Sequence, residues 1–249
     1  ELITAIARAN LRSRHGSTAL GRLWNLLDPL LMLSVYWLIF GALLANRRPD
    51  HFIAFLAIGL ILFQFTQSTV TAGAASLGKH LEMIRQIRFP RAALAAAETL
   101  QQVGLLAWQL PVVAAVVTID SGLLRPTWFS FVVLLVPLLA LFAFGLSLLF
   151  ARLAHSVRDV LQVLPYGFRI VFYGSGVLFP IDTLLDDSQL VRWLPLNPFY
   201  AYMSLGRHLV LAPRDDAAIL WISAVGWTVT SFAVGLAVFV RAEHRYGRG

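Results

Sequence analysis

Residues 53–75 read IAFLAIGLILFQFTQSTVTAGAA, without a single charged side chain. About 20 consecutive apolar residues are what an α-helix needs to cross the hydrocarbon core of a bilayer. The stretch therefore reads as a membrane span, and similar runs recur on both sides of it. Six spans are expected, over 24–44, 53–75, 99–119, 128–151, 160–180 and 217–240. Of the 249 residues, 58% are hydrophobic and only 13% are charged, with a mean hydropathy of +0.73. Soluble domains carry about twice that charged fraction, so the chain lacks the polar coat a soluble core would require. The expected fold is an all-α integral membrane protein, a single transmembrane domain over 1–249.

Charge placement orients it. Six spans put both termini and the even-numbered loops on one side, which then holds 13 of the 20 basic residues. The other side carries most of the acids, among them Asp50, Asp120, Asp182, Asp186, Asp187, Asp215 and Asp216. By the positive-inside rule the termini are cytoplasmic and the protein is a multi-pass plasma-membrane protein. The net charge of +7 would suggest nucleic acid in a soluble chain, but here it sorts by membrane side, and no nucleic-acid partner is expected. Residues 1–22 mix Leu2, Ile3, Ile6 and Leu11 with Arg8, Arg12 and Arg14. That pattern fits an interfacial amphipathic helix and not a cleavable signal. Between spans five and six, residues 181–216 are too apolar for a solvated loop, and Pro195, Pro198 and Pro213 interrupt them. Two short helices in the outer leaflet are expected there.

Several chemistries are excluded. Cysteine is absent. Gly73, Gly78 and Lys79 imitate the start of a phosphate-binding loop, but His80 stands where Ser or Thr is needed and no strand precedes the run. The six histidines are scattered, with no metal-ligand spacing and hence no metal site. A membrane enzyme acting on polyprenyl phosphates would need a clustered acid, base or metal at one face, and the sequence offers none.

The fifth span carries the most informative pattern. Gln162, Tyr166, Arg169, Tyr173 and Gly176 are spaced 4, 3, 4 and 3, which places them on one helical face. A charge deep within a span is costly and normally faces a polar interior, so the stripe reads as the lining of a passage. The alternatives for Arg169 are one structural ion pair, with Asp28 or Glu98, and snorkelling to the cytoplasmic surface. Tyr36, Trp37 and Phe40 of the first span suit either the lining of a passage or an aromatic belt at the membrane border. Spacing favours interhelical hydrogen bonding for Gln64, Gln67, Gln102 and Gln109, and helix packing for Gly226–Thr230 and Ser231–Gly235.

The loop over 78–98 joins cations to an apolar ridge in Ile84-Arg85-Gln86-Ile87-Arg88-Phe89-Pro90-Arg91. This segment resembles the Ile-Arg-Lys-x-x-Phe-Pro-Arg segment of polysaccharide ABC exporter permeases, the transmembrane subunits that export O-antigen, teichoic acid, capsule or cell-wall galactan. Arg158-Asp159-Val160 followed by Gln162, and Asn197-Pro198-Phe199 with Arg207 ten residues after the Asn, resemble two further segments of that family in the same order. One departure is the Gly174-Ser175-Gly176-Val177 run where the family often has Ser-Pro or Thr-Pro.

The resemblance implies a subunit without catalytic residues or cofactor, pairing with a second copy of itself and with two ATPase subunits that hold ATP and magnesium. Arg85, Arg88, Phe89, Pro90, Arg91, Arg158 and Asp159 would contact the ATPases. Asp182, Trp193, Asn197, Pro198 and Arg207 would belong to outer gate helices. Tyr36, Trp37, Phe40, Gln162, Tyr166, Arg169 and Tyr173 would line the channel, and the cargo would be a polyprenyl-pyrophosphate-linked glycan moving through membrane lipid. A small-molecule exporter on a related scaffold is the alternative. The arginine-to-lysine ratio of 19 to 1 is compatible with a GC-rich actinobacterium, where galactan would be a natural cargo.

Overall fold

A computed structural model describes residues 24–44, 49–82, 90–122, 125–181 and 189–242. The expected interfacial helix over 1–22, the loop residues Arg85, Arg88 and Phe89, and Asp182 lie outside the described residues. Seven α-helices account for nearly all the rest. They are α1 (Trp24–Leu44), α2 (Phe52–Lys79), α3 (Ala92–Ser121), α4 (Trp128–Ser156), α5 (Val160–Gly174), α6 (Pro198–Val210) and α7 (Ala217–Arg241). Among the described residues there is no strand.

Four of these, α2, α3, α4 and α7, are long and apolar enough to cross a bilayer. Helix α1 carries a shorter apolar stretch, Leu27–Leu43. The fifth expected span, 160–180, is corrected to a helix that stops at Gly174. Fifteen residues reach only about 22 Å, short of the ~30 Å hydrocarbon core. The chain stops there because Gly174-Ser175-Gly176 offers little helix propensity, and Gly176 turns with φ of +66°. The third expected span begins earlier than expected. The alanine-rich run 92–97 favours helix, so the connection to α2 shrinks from 78–98 to the residues between Lys79 and Ala92. Among the described residues, 181–216 contain a 3-10 helix, Gln189–Leu196, and α6.

Helix α2 is the hub, with buried side chains at intervals from Phe52 to Leu77. Its amino end is capped by the last turn of α3, where the Asp120 carboxylate accepts from the Ala54 N–H at 3.0 Å and sits favourably at the positive end of the helix dipole. Small residues let backbones meet. A Cβ on Gly73 would lie 2.8 Å from Ser147 Oγ of α4, and one on Gly145 would lie 2.5 Å from the Ser231 carbonyl carbon of α7. The Ser231–Gly235 pair thus makes the α4–α7 crossing, as expected. Gly226 and Thr230 do not, because Thr230 is exposed and a Cβ on Gly226 would meet nothing. Helix α4 contains one π turn, Phe131–Leu135. It covers Val133, whose carbonyl loses its ordinary donor because Pro137 has no N–H. Tyr202 of α6 anchors the same region by bonding Thr228 Oγ1 and the Ala224 carbonyl of α7.

Candidate functional site

The buried residues of helix α5 are the ridge Leu164, Phe168 and Phe172, flanked by the half-buried Leu161 and Val171. Phe63 of α2 receives that ridge, with ring centroids 6.0 Å from Phe168 and 5.0 Å from Phe172. On one flank of the ridge, α1, α2 and α5 enclose a cavity of about 240 Å³ lined by Tyr36, Gln64, Gln67, Arg169 and Tyr173 over an apolar floor. Tyr36 rests on Phe172 at 5.6 Å, and Arg169 lies over the Tyr166 ring at 5.9 Å. Gln64 also donates to Asp28 of α1 at 3.4 Å.

The cavity brings together three of the seven residues expected to line a channel: Tyr36, Arg169 and Tyr173. Phe40 stands one turn along α1, against Tyr36 and Phe179. Trp37 is half exposed on α1. Gln162 and Tyr166 continue the α5 stripe on its exposed face, outside the cavity wall. Gln64 and Gln67 were less legible. Glutamines within a span mostly serve as interhelical hydrogen bonds, but here both line the cavity. Their sequence signal is their spacing of three, which puts them on one face of α2. Amide, phenol and guanidinium groups beside aromatic faces can bond hydroxyls, attract anions and stack on the apolar faces of a polar chain.

The end of α5 forms a second constellation. Arg207 of α6 is only 7% exposed. Its guanidinium donates to the carbonyls of Gly176 and Val177, both at 2.9 Å, and to Phe55 of α2 at 3.4 Å. It also lies over the Phe55 ring at 3.4 Å. These carbonyls follow the end of α5, where a cation is favoured. Gly59 makes the room, since a Cβ there would fall 2.6 Å from the guanidinium. Asn197 closes the arrangement: its Oδ1 accepts from the Phe199 and Tyr200 N–H groups to cap α6, and its Nδ2 donates to Ser175 at 3.0 Å. An Asn cap followed by Pro198 at the first helical position is a strong start signal. Trp193, in the preceding 3-10 helix, is exposed.

At the opposite end, Pro90 and Arg91 open α3, and the exposed Arg158 and Asp159 form the tight turn into α5. Lys79 donates to the buried Glu98 at 3.1 Å and ties the ends of α2 and α3 together. Glu98 therefore pairs with Lys79, and Asp28 accepts from Gln64. Among the described residues, no three His, Cys, Asp or Glu gather as metal ligands.

Before α7, Arg214 donates to both oxygens of Asp216 at 2.9 and 3.0 Å. That hydrogen-bonded guanidinium holds the Asp216 carboxyl below the usual carboxylate range. The associated stability is complete above the ordinary carboxylate pKa and is lost as pH falls through the lower folded value. Asp216→Asn is expected to lower the unfolding temperature in detergent at neutral pH, with the difference from wild type vanishing in acid.

An all-helical membrane chain with a polar, aromatic cavity between its helices is the architecture of a transport permease. The chain belongs to the ABC-2 type transporter family, which it matches over residues 1–211. It is 24% identical over 251 residues to the O-antigen export system permease protein RfbA of Klebsiella pneumoniae, covering 99% of this chain and 93% of that one. The RfbA of Myxococcus xanthus is 25% identical, over 92% of this chain and 90% of its own length. The polysialic acid transport protein KpsM of Escherichia coli is 25% identical, over 97% and 93%.

Proposed function

We propose that the chain is the transmembrane subunit of an ATP-driven exporter of a lipid-linked polysaccharide. Two copies pair, and the channel runs along their interface. The observation that carries this reading is the cavity of Tyr36, Gln64, Gln67, Arg169 and Tyr173 at the mid-height of α2. A glycan cannot cross hydrocarbon with its hydroxyls unpaired, and these groups replace water along its path. Tyrosine faces let sugar rings slide, and Arg169 draws the pyrophosphate of a polyprenyl carrier. Both termini are cytoplasmic. Two ATPase subunits, holding ATP and magnesium, dock on Arg85, Arg88, Phe89, Pro90 and Arg91 and on the Arg158–Asp159 turn. The pair Lys79–Glu98 passes their movement to α2 and α3. Asp182, Trp193, Asn197, Pro198 and Arg207 belong to the outer gate.

The test is reconstitution with the neighbouring ATPase in proteoliposomes, following ATP-dependent movement of a polyprenyl-pyrophosphate-linked glycan. Arg169→Ala is expected to cut the export rate at least tenfold while leaving ATPase binding intact. Normal export by that variant would remove Arg169 from the mechanism. Failure of any ATPase to co-purify would sink the exporter reading itself.

A further inference from the structure

Helix α6 runs into a loop that is held by a histidine. The backbone N–H of Arg214, in the loop to α7, lies 2.8 Å from Nδ1 of His208. A backbone N–H can only donate, so Nδ1 is the acceptor, and an imidazole nitrogen accepts only while it carries no proton. His208 is therefore neutral in this arrangement, with its hydrogen on Nε2. That bond fixes the loop by its main chain, and the Arg214 side chain adds to it. The guanidinium donates to the Tyr200 hydroxyl of α6 at 3.3 Å and to both oxygens of Asp216. The loop is thus closed onto α6 on one side and onto the start of α7 on the other.

Protonation turns this contact against itself. An imidazolium is a donor at both nitrogens, so its Nδ1–H would face the Arg214 N–H with no acceptor between them. It also sets a second cation beside Arg214. Asp216 is the anion within reach: the Arg214 hydrogen bond, and more weakly the His208 charge, hold its carboxyl below the usual carboxylate range. The imidazolium then competes with Arg214 for that carboxylate. The remaining charges at this end are engaged elsewhere or exposed. Arg125, ahead of α4, donates to the Leu211 carbonyl at 3.2 Å. The Arg207 guanidinium is committed to the carbonyls beyond α5. His51, at the start of α2, donates to the Asp120 carbonyl of α3 at 2.9 Å. Asp50 and Asp215 are exposed. Where α2 and α4 press on α6, at Gly206, they present Ile58, Leu62 and Phe131. Helix α7 meets α6 through Ala224 and Thr228. None of these five titrates.

We propose that His208 and the Arg214 loop form a pH-sensitive latch, in which the neutral imidazole holds the loop against α6 and protonation releases it. On the exporter reading this end faces the outer compartment, and α6 carries the gate residues Asn197 and Arg207, so acidity there loosens the far end of α6.

The chain contains no cysteine, so Ala212→Cys, at an exposed position between α6 and Arg214, takes a spin label at a single site. Spectra of the labelled protein in nanodiscs are followed between about pH 8 and about pH 5, the interval in which histidine changes charge. With His208 in place, label mobility is expected to rise about twofold or more on acidification, reversibly, one lost hydrogen bond being enough to shift the populations that far. His208→Asn keeps an acceptor oxygen at the δ1 position that does not titrate, and should hold the label still throughout. His208→Leu has no acceptor and should be mobile throughout; if it fails to fold, the asparagine variant carries the test alone. His51→Asn should leave the transition in place. Equal mobility at both ends of the pH range with His208 in place overturns the latch. So does a transition that survives in His208→Asn or disappears in His51→Asn. The readout needs neither ATPase nor cargo, so a failed latch and a failed exporter reading are told apart.

Discussion

Arg207→Ala is expected to destabilise the packing of α6 against α2 and the end of α5 by about 3 kcal/mol or more and to abolish export. Three carbonyls lose a charged donor at once, and two of them, Gly176 and Val177, belong to backbone with no helical partner. Water cannot easily replace the guanidinium, because the site is closed by Phe55, Gly59 and Val177. Lysine is a poor substitute, since one ammonium cannot reproduce the planar fork that reaches three acceptors. Thermal unfolding in detergent should show Arg207→Ala well below wild type and Arg207→Lys between them. Gly59→Val should resemble Arg207→Ala by expelling the guanidinium from the other side. An Arg207→Ala protein with wild-type unfolding temperature would show that the clasp holds nothing.

Gly235→Val is expected to prevent assembly of the α4–α7 pair. A Cβ at 235 would sit inside the van der Waals surface of the Gly145 carbonyl oxygen, with the carbonyl carbon at 2.9 Å. The obstacle is backbone, which cannot rotate away as a side chain does. The helices must separate, and the contacts between their apolar faces go with them. Overpacking of this kind costs about 3 kcal/mol or more when the neighbour cannot yield. Gly226→Val, on the same helix but facing open space, should be nearly neutral. Expression and monodispersity of the two variants side by side distinguish a crossing-point effect from a general loss of glycine. Equal behaviour would refute the backbone-contact argument.

Long spans were legible because their signal is simple: apolar composition sustained over enough residues. The stretch 53–75 lies wholly inside α2 (Phe52–Lys79), and 217–240 falls one residue short of the end of α7. Helix α5 was legible as a face but not as a length. Its stripe depends on periodicity alone, whereas its end depends on Gly176 entering a left-handed turn that only the tertiary setting stabilises. Arg207 was the least legible. Its motif position was visible, and so was the apolar run around it from Phe199 to Leu211. Its acceptors, however, lie 30, 31 and 152 residues away, and carbonyl oxygens leave no trace in a sequence. Gly59 has the same difficulty, since a glycine inside a span is read as packing until the atom it accommodates is known.

The stripe on α5 has an electrical side. Arg169 stands level with Gln64 and Gln67, near the middle of α2 and so inside the drop of the transmembrane potential. Carrying one elementary charge through that whole drop is worth about 2.3 kcal/mol per 100 mV, and a partial displacement is worth its proportionate share. Any shift of α5 along the membrane normal therefore performs electrical work. A membrane potential thus acts on the position of that helix through Arg169.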